Sequence, residues 1–233
     1  MVATKNWWRV ALVLLLAGFF ISSCAKRQSR PTLPHDTASY HFNMGVEYYD
    51  QGNMDAAVSE WGIAICLDPN QFEAHYNLGI AYKKKGLFDQ AIWHFKTAIQ
   101  IKPDSADSYN QMGVVYYTCE QYDMAIEAYI RAVTITPDDP GYYYNLGNAY
   151  YKKGLSEEAI SELREAVRID PNFVDAYYNL GNVYEYIGDF ENAIHYYEEY
   201  ILRENRPSEQ EWVEKALQKL HTLKGYSPVE PAE

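Results

Sequence analysis

The chain has 233 residues, of which 48% are hydrophobic, so it is not a disordered polymer and its length allows one or two folded domains. Its formal net charge of −12 argues against nucleic acid as a partner and against general adhesion to anionic lipid, because both need a basic surface. Tyrosine is the dominant aromatic residue, with 23 copies.

The chain opens with the pattern of a secretory signal. Lys5 and Arg9 form a basic start, and an apolar run covers residues 10–21. A run of this length is short for a membrane-spanning helix and suits the apolar core of a signal peptide. The first residues are therefore predicted to direct the protein out of the cytoplasm.

The tetrapeptide ISSC at residues 21–24 resembles the bacterial lipobox. This resemblance implies that the signal peptide 1–23 is removed and that Cys24 is acylated, palmitate included, so that several chains anchor the protein stably. Ala25 stands where an Asp would imply retention at the inner membrane, which favours an outer-membrane position facing the periplasm. An uncleaved signal anchor remains an alternative, because the basic residues around Lys26 could leave the chain facing the cytoplasm.

One spacing organises most of the remaining sequence, because four residue types recur every 34 residues. Such a period is the sequence signature of a repeat architecture. The four series are Gly45, Gly79, Gly113, Gly147 and Gly181; Ala57, Ala91, Ala125, Ala159 and Ala193; Tyr48, Tyr82, Tyr116, Tyr150 and Tyr184; and Pro69, Pro103, Pro137 and Pro171.

Each repeat contains two helical patterns, of which the second ends at the proline. In the second repeat the pattern L-G-x-x-Y…A-x-x-x-F…P reads Leu78, Gly79, Tyr82, Ala91, Phe95 and Pro103. This pattern resembles the tetratricopeptide repeat. The resemblance implies an all-α fold, a right-handed superhelical solenoid of helix–turn–helix repeats with a C-terminal capping helix. The five expected repeats cover 38–71, 72–105, 106–139, 140–173 and 174–207.

The segments that flank the repeats have different expected roles. Residues 24–37 hold the lipidated cysteine and lack an apolar period, so they are predicted to be a tether. Ser208 to Glu211 matches a capping box, and apolar residues then recur at helical spacing, which predicts a capping helix over 208–225. Residues 226–233 are expected to be a flexible tail.

The glycine inside each first helix calls for a steric explanation, since glycine costs about 1 kcal/mol relative to alanine there. We expect a neighbouring helix to approach where a Cβ would collide. A large residue of the second helix is predicted to fill the space between the two helices. These residues are Trp61, Phe95, Tyr129, Leu163 and Tyr197.

No catalytic signature is found in the sequence: it contains no phosphate-binding glycine loop, zinc-protease motif or serine-hydrolase motif. The chain is therefore predicted not to be an enzyme, with no cofactor, metal or small-molecule substrate. His41 and His75 share one repeat position where bulky residues normally pack, so both are expected to be core histidines. His94, His195 and His221 show no partner at metal-ligand spacing.

The first helix of each repeat presents two faces on a helical wheel. In tetratricopeptide arrays one of these faces lines a concave groove where peptides dock, and the resemblance implies the same role here. Amides can pair with an extended backbone, and tyrosine gives contact area at low entropic cost. The predicted partner-binding groove comprises Phe42, Tyr76, Asn110, Tyr144 and Tyr178, with Asn148, Asn182, Tyr151, Asn145 and Asn179. For Asn145 and Asn179, hydrogen bonding within the array is an equally open interpretation.

These features predict a membrane-anchored scaffold or adaptor that binds envelope proteins or extended peptide segments. The resemblance to bacterial tetratricopeptide lipoproteins implies a pilotin-like role, or that of an adaptor for an envelope protease or cell-wall hydrolase. A cell-wall glycan binder remains an alternative, because tyrosines and amides also suit sugars. A cytoplasm-facing scaffold is the other alternative.

Overall fold

The computed structural model describes residues 37–226, and within this range the chain is built from α-helices with one short 3-10 turn and no strand. The predicted signal peptide, Cys24 and nearly all of the tether lie outside the described residues, as does the tail after Tyr226. The helices are α1 (Ala38–Asp50), α2 (Met54–Leu67), α3 (Phe72–Lys84), α4 (Phe88–Ile101), α5 (Ala106–Thr118), α6 (Tyr122–Ile135), α7 (Pro140–Lys153), α8 (Ser156–Ile169), α9 (Val174–Tyr186), α10 (Phe190–Arg203) and α11 (Gln210–Tyr226).

The chain divides into two compact units, one ending at Pro103 and the other beginning at Asp104. In the first unit α1 packs on α2, α3 packs on α4, and α2 joins the two pairs by packing on α3. The second unit contains three such helix pairs and α11, which packs on α10. The predicted all-α class with consecutive helix–turn–helix packing is therefore confirmed.

Local chemistry explains where the helices begin. The side chains of Thr37 and Asn53 accept hydrogen bonds from backbone N–H groups three residues later, at 3.1 and 3.2 Å. The Asp139 side chain caps α7 by accepting from the Gly141 N–H, and Pro140 lies at the first helical position, where no N–H donor is needed. At Asn53 and Asp139 these caps set the start of a helix soon after the end of the preceding one.

The predicted reason for the first-helix glycines is confirmed. A Cβ built on Gly79 would lie 2.6 Å from the Phe95 ring, and one on Gly147 would lie 2.7 Å from Leu163 Cγ. Each of these glycines therefore lets a large side chain of the second helix of the same repeat approach the first helix backbone. The remaining pairs are Gly45 with Trp61, Gly113 with Tyr129 and Gly181 with Tyr197.

One turn between paired helices departs from the others. The turn residue has positive φ in each repeat and is a glycine in four of them: Gly52, Gly86, Gly154 and Gly188. In the third repeat the residue is Glu120, with φ of 59°. A residue with a Cβ pays about 1–2 kcal/mol for this left-handed conformation, so Glu120 is a strained position.

Replacing Glu120 with glycine is expected to stabilise the second unit by about 0.5–1 kcal/mol, because part of the relieved strain is offset by the freer unfolded chain. Urea unfolding followed by Trp212 fluorescence would measure the change. The matched control is Gly154→Ala at φ of 80°, which should destabilise the same unit. A destabilising Glu120→Gly substitution would show that the glutamate side chain makes a contact worth more than the strain.

The capping helix begins later than predicted, and the capping box is not formed. Pro207 starts a 3-10 turn that ends at Glu209, and α11 begins at Gln210. The Ser208 hydroxyl donates to the neighbouring Glu209 carboxylate at 3.2 Å. Among the described residues no hydrogen bond joins the Glu211 N–H to this hydroxyl, so the cap that the sequence pattern suggested is not formed.

The buried face of α11 matches that of a first helix. Ala216, Leu220 and Leu223 are buried at the same spacing as Ala176, Leu180 and Val183 of α9. The residue after Leu220 is His221, whereas the residue after Leu180 is Gly181. A histidine at this position leaves no space for the aromatic ring of a further second helix, which suits α11 to end the second unit.

Candidate partner-binding face

In the second unit, α7 and α9 expose a surface that we call the tyrosine–asparagine face. Apart from the adjacent pairs 144/145 and 178/179, its residues are separated by three or four positions within each helix, which places them on one side. All of them are half-buried. The face consists of Tyr144, Asn145, Asn148 and Tyr151 from α7, and Tyr178, Asn179 and Asn182 from α9.

Hydrogen bonds between amides connect the first helices of adjacent repeats. Asn145 Nδ2 donates to Asn110 Oδ1 at 2.9 Å, which joins α7 to α5. Asn179 Nδ2 donates to Asn148 Oδ1 at 2.7 Å, which joins α9 to α7. Asn182 Nδ2 approaches Asn179 Oδ1 at 3.4 Å within α9. Asn145 and Asn179 therefore bond within the array, which was one of the two open interpretations for them. Asn148 and Asn182 take part in the same bonding.

Internal bonding does not use up these side chains. A carboxamide has two N–H donors and two acceptor lone pairs, and each asparagine of the face uses only part of this capacity. The internal bonds fix the orientation of the amides, and the half-exposed atoms can still meet a ligand. Partner binding by these residues stays a prediction.

Asn110 requires a correction. It is only 9% exposed, and its carbonyl oxygen accepts the bond from Asn145. Its side chain therefore lies mostly beneath the surface and joins two helices, so it offers a partner less surface than the predicted groove assumed.

Tyr144 is held firmly on this face. Its ring meets Phe173 edge to face, with centroids 5.2 Å apart. Burial raises the pKa of Tyr144, and hydrogen bonds from Asn148 and Asn179 act in the opposite direction without reversing the shift. Tyr144 is thus a neutral, oriented phenol at the junction of two repeats.

Tyr178 and Tyr151 are also packed against other rings. Tyr178 lies between Tyr200 of α10, at 5.2 Å, and Trp212 of α11, at 5.5 Å between centroids. Tyr151 meets Tyr186 edge to face at 5.7 Å. These rigid aromatic groups can bind a partner with little further loss of entropy.

A partly buried polar network adjoins the face, and the sequence did not reveal it. The Tyr197 hydroxyl lies 2.9 Å from Asn182 Oδ1 and 2.6 Å from Glu185 Oε2, which also accepts from Lys219 at 2.5 Å. Burial alone would raise the pKa of Glu185, but the bonds from Lys219 and Tyr197 outweigh it and the pKa is lowered. Glu185 therefore stays ionised and fixes α11 to the last repeat.

The predicted residues of the first unit lie on its own first helices. Phe42 contributes its carbonyl oxygen to Trp61 Nε1 at 3.2 Å. The Tyr76 ring stacks with Phe72 at 6.1 Å and meets Phe95 at 6.0 Å. Phe42 and Tyr76 are both half-buried, so each packs on its helix pair and keeps part of its side chain exposed to solvent.

Within residues 37–226 no helix has the length and apolar character needed to cross a membrane. The same residues contain no cluster of three or more His, Cys, Asp or Glu side chains arranged to hold a metal ion.

Several solved structures share this fold. The MamA protein is 25% identical with a TM-score of 0.67, and the match covers 84% of this chain and 99% of that one. YrrB, described as a TPR protein with an unusual peptide-binding site, is 22% identical with a TM-score of 0.67, covering 88% and 97%. Pseudomonas aeruginosa pilF is 16% identical with a TM-score of 0.65, covering 83% and 93%. No curated protein sequence matches this chain.

Family models agree with the fold. A model described as TPR repeat matches residues 45–86, 115–154 and 156–188. Two models described as tetratricopeptide repeat match residues 72–105 and 174–203, and residues 94–127. Together these matches cover more than half of the chain, which therefore belongs to the tetratricopeptide repeat family.

Proposed function

We propose that this protein is a lipid-anchored scaffold of the bacterial cell envelope, and that it binds another envelope protein through the tyrosine–asparagine face. Tetratricopeptide proteins are generally protein-binding scaffolds without catalytic activity, which supports the coarser part of this proposal. The envelope location and the lipid anchor rest on the sequence of residues 1–24.

One observation carries the docking proposal: the half-exposed Tyr144 is held at the junction of two repeats by asparagines that bond to each other across that junction. Asn148 and Asn179 hold Tyr144, and their mutual bond of 2.7 Å fixes α7 against α9. A surface that is ordered before binding pays less entropy when a partner arrives. Tyrosine is also a common binding hot spot, whose loss costs on the order of 2 kcal/mol or more.

The partner chemistry that suits this face is an extended polypeptide segment. Asparagine side chains can donate to and accept from a peptide backbone at the same time. The tyrosine rings offer apolar surface between those polar groups. YrrB has the same fold and is described as having a peptide-binding site, which indicates that such a fold can host one.

Binding of cell-wall glycan is the competing function, and it can be separated by experiment. We expect the soluble protein without its signal peptide to show no saturable binding of peptidoglycan fragments. Tyr144→Ala is the informative variant, with Arg164→Ala on α8 as an exposed control. Saturable binding that is lost in Tyr144→Ala and kept in Arg164→Ala would replace protein docking by glycan recognition.

The lipid anchor predicts a specific labelling result. Cells grown with labelled palmitate should incorporate the label into the wild-type protein and should not do so in Cys24→Ala. The precursor of the variant should also keep its signal and run at a larger size. Equal labelling and equal size for both proteins would contradict acylation at Cys24 and favour an uncleaved anchor.

A further inference from the structure

Two histidines in the first unit form a buried contact. His75 of α3 and His94 of α4 are 3% and 7% exposed, and their Nδ1 atoms lie 3.1 Å apart. The expectation that His75 belongs to the core is confirmed. In the sequence His94 has no partner at metal-ligand spacing, and the structure gives it a hydrogen-bonding partner on the other helix of the same repeat.

The surroundings determine which nitrogens carry protons. His75 Nε2 lies 3.1 Å from the Pro69 carbonyl oxygen, which can only accept, so Nε2 of His75 must carry its proton. A neutral His75 then has an unprotonated Nδ1, and the 3.1 Å contact requires His94 Nδ1 to donate. The geometry therefore fits two neutral rings in defined tautomers.

Protonation disturbs this arrangement at either ring. A proton on His75 Nδ1 would set one N–H against another at hydrogen-bonding distance. A proton on His94 would place a charge inside a nearly inaccessible ring, which is costly without a paired anion.

Neighbouring charged groups do not relieve this cost. On α3, Tyr82 stacks on His94 with centroids 5.3 Å apart, and on α4 both Asp89 and Lys96 are exposed. On α2, which packs against α3, the Glu60 carboxylate pairs with His41, with Oε2 lying 2.5 Å from His41 Nδ1. The other charged residues of these helices are exposed or lie near the helix ends: Glu73, Lys83 and Lys84 on α3, and Asp55 on α2, which pairs with Lys85.

The fifth repeat builds the same geometry without histidine. Tyr177 occupies the repeat position of His75, and its hydroxyl donates to the Pro171 carbonyl at 3.1 Å. Tyr196 occupies the position of His94 and stacks on Tyr184 at 5.4 Å, as His94 stacks on Tyr82 at 5.3 Å. The fold therefore accepts two tyrosines here, which stay neutral throughout the physiological pH range.

We propose that His75 and His94 form an acid-sensitive latch, which holds α3 against α4 at neutral pH and loosens this helix pair when the pH falls below about 6. The second unit has no such pair among its described residues, and its histidines, His195 and His221, are exposed. Mild acid should therefore open the first unit before the second.

The direction of the pH effect follows from proton binding. Burial and the neighbouring His75 lower the pKa of His94 to about 3, and burial lowers the pKa of His75. Histidine in the unfolded state has a pKa of about 6.5, so below that pH the open form binds protons that the closed form does not. The free energy of unfolding that the pair contributes is therefore complete above this pKa. It is lost as the pH falls toward the pKa values of the folded state.

Hydrogen exchange of the full chain tests the latch. Between pH 7 and pH 5.5, after correction for intrinsic exchange, opening should become easier by about eightfold for each histidine, or up to about seventyfold for the pair. Peptides from residues 72–101 should show this loss of protection, and peptides from residues 174–203 should not.

The matched variants swap the histidine pair and the tyrosine pair between the second and fifth repeats. His75→Tyr with His94→Tyr should abolish the acid-dependent loss in residues 72–101, and Tyr177→His with Tyr196→His should introduce it in residues 174–203. Protection of residues 72–101 that is equal at the two pH values would overturn the proposal. So would an equal loss in the double tyrosine variant.

A measurement on the wild-type chain keeps the proposal testable even if a variant fails to fold. Long-range proton–nitrogen NMR spectra distinguish the histidine tautomers. At pH 6 we expect both rings to be neutral, with His75 protonated at Nε2 and His94 at Nδ1. A cationic ring or a different pair of tautomers at that pH would contradict the latch.

Discussion

Replacing Phe95 with alanine is expected to destabilise the first unit by about 3–5 kcal/mol. Phe95 is fully buried, and its ring lies against the backbone at Gly79, which has no side chain of its own to fill a cavity. The cost should therefore lie toward the upper part of that range. Urea unfolding followed by the fluorescence of Trp61 and Trp93 reports on this unit.

Two controls sharpen the Phe95 result. Phe95→Leu should cost less, because the fourth repeat uses Leu163 at the same position. Trp93→Ala alters a neighbouring residue that is 56% exposed and should have a smaller effect, measured by circular dichroism. A Phe95→Ala loss below about 1 kcal/mol would mean that the helix pair repacks and that the ring does not determine its stability.

The second large effect is on stability: Gly79→Ala is expected to destabilise the first unit, although a glycine-to-alanine change in a helix usually stabilises it. In an exposed helix, replacing glycine with alanine stabilises by about 1 kcal/mol. Here the added Cβ would lie 2.6 Å from the Phe95 ring, so either the ring or the helix must shift. Overpacking of this kind costs about 1–3 kcal/mol, and we expect Gly79→Ala to be clearly destabilising in the same urea assay.

A double-mutant cycle tests whether Phe95 is the cause. Combining Gly79→Ala with Phe95→Leu should cost less than the sum of the two single changes, since the smaller side chain makes room. Gly225→Ala is the control, because no atom lies within 4 Å of the position that its Cβ would take, and the change should be neutral or slightly stabilising. Additive costs for Gly79 and Phe95 would contradict direct steric coupling.

The sequence period predicted the parts of the fold that every repeat shares. Glycine recurs because a large side chain of the second helix approaches it, and the Gly79–Phe95 spacing is the same in all five repeats. Because every repeat needs glycine beside this large side chain, the glycine recurs at a fixed period and can be recognised from sequence.

Features belonging to one repeat were harder to predict. The contact between His75 and His94 joins positions 19 residues apart, the separation that also links Trp61 to Phe42 and His41 to Glu60. Knowing this separation would have paired the histidines from sequence alone. The helical wheel could not supply it, because a wheel describes one helix and not its partner.

The binding face was predicted only in outline. The wheel placed Tyr144 and Asn148 on one side of a helix, but it could not show that Asn148 bonds to Asn179 on the next first helix. Burial of Asn110 depends on the same cross-repeat packing. Side-chain geometry between repeats lies beyond what a single-helix pattern can indicate.

Photocrosslinking in cells tests the central claim of protein docking most directly. A photoreactive amino acid would be placed at residues 144, 148 and 178 of the full-length protein, with residues 161 and 164 on the exposed side of α8 as controls. We predict that mass spectrometry identifies one recurrent envelope protein from the three face positions and not from the two controls. Capture from residues 161 and 164 with none from 144, 148 and 178 would contradict binding at the tyrosine–asparagine face.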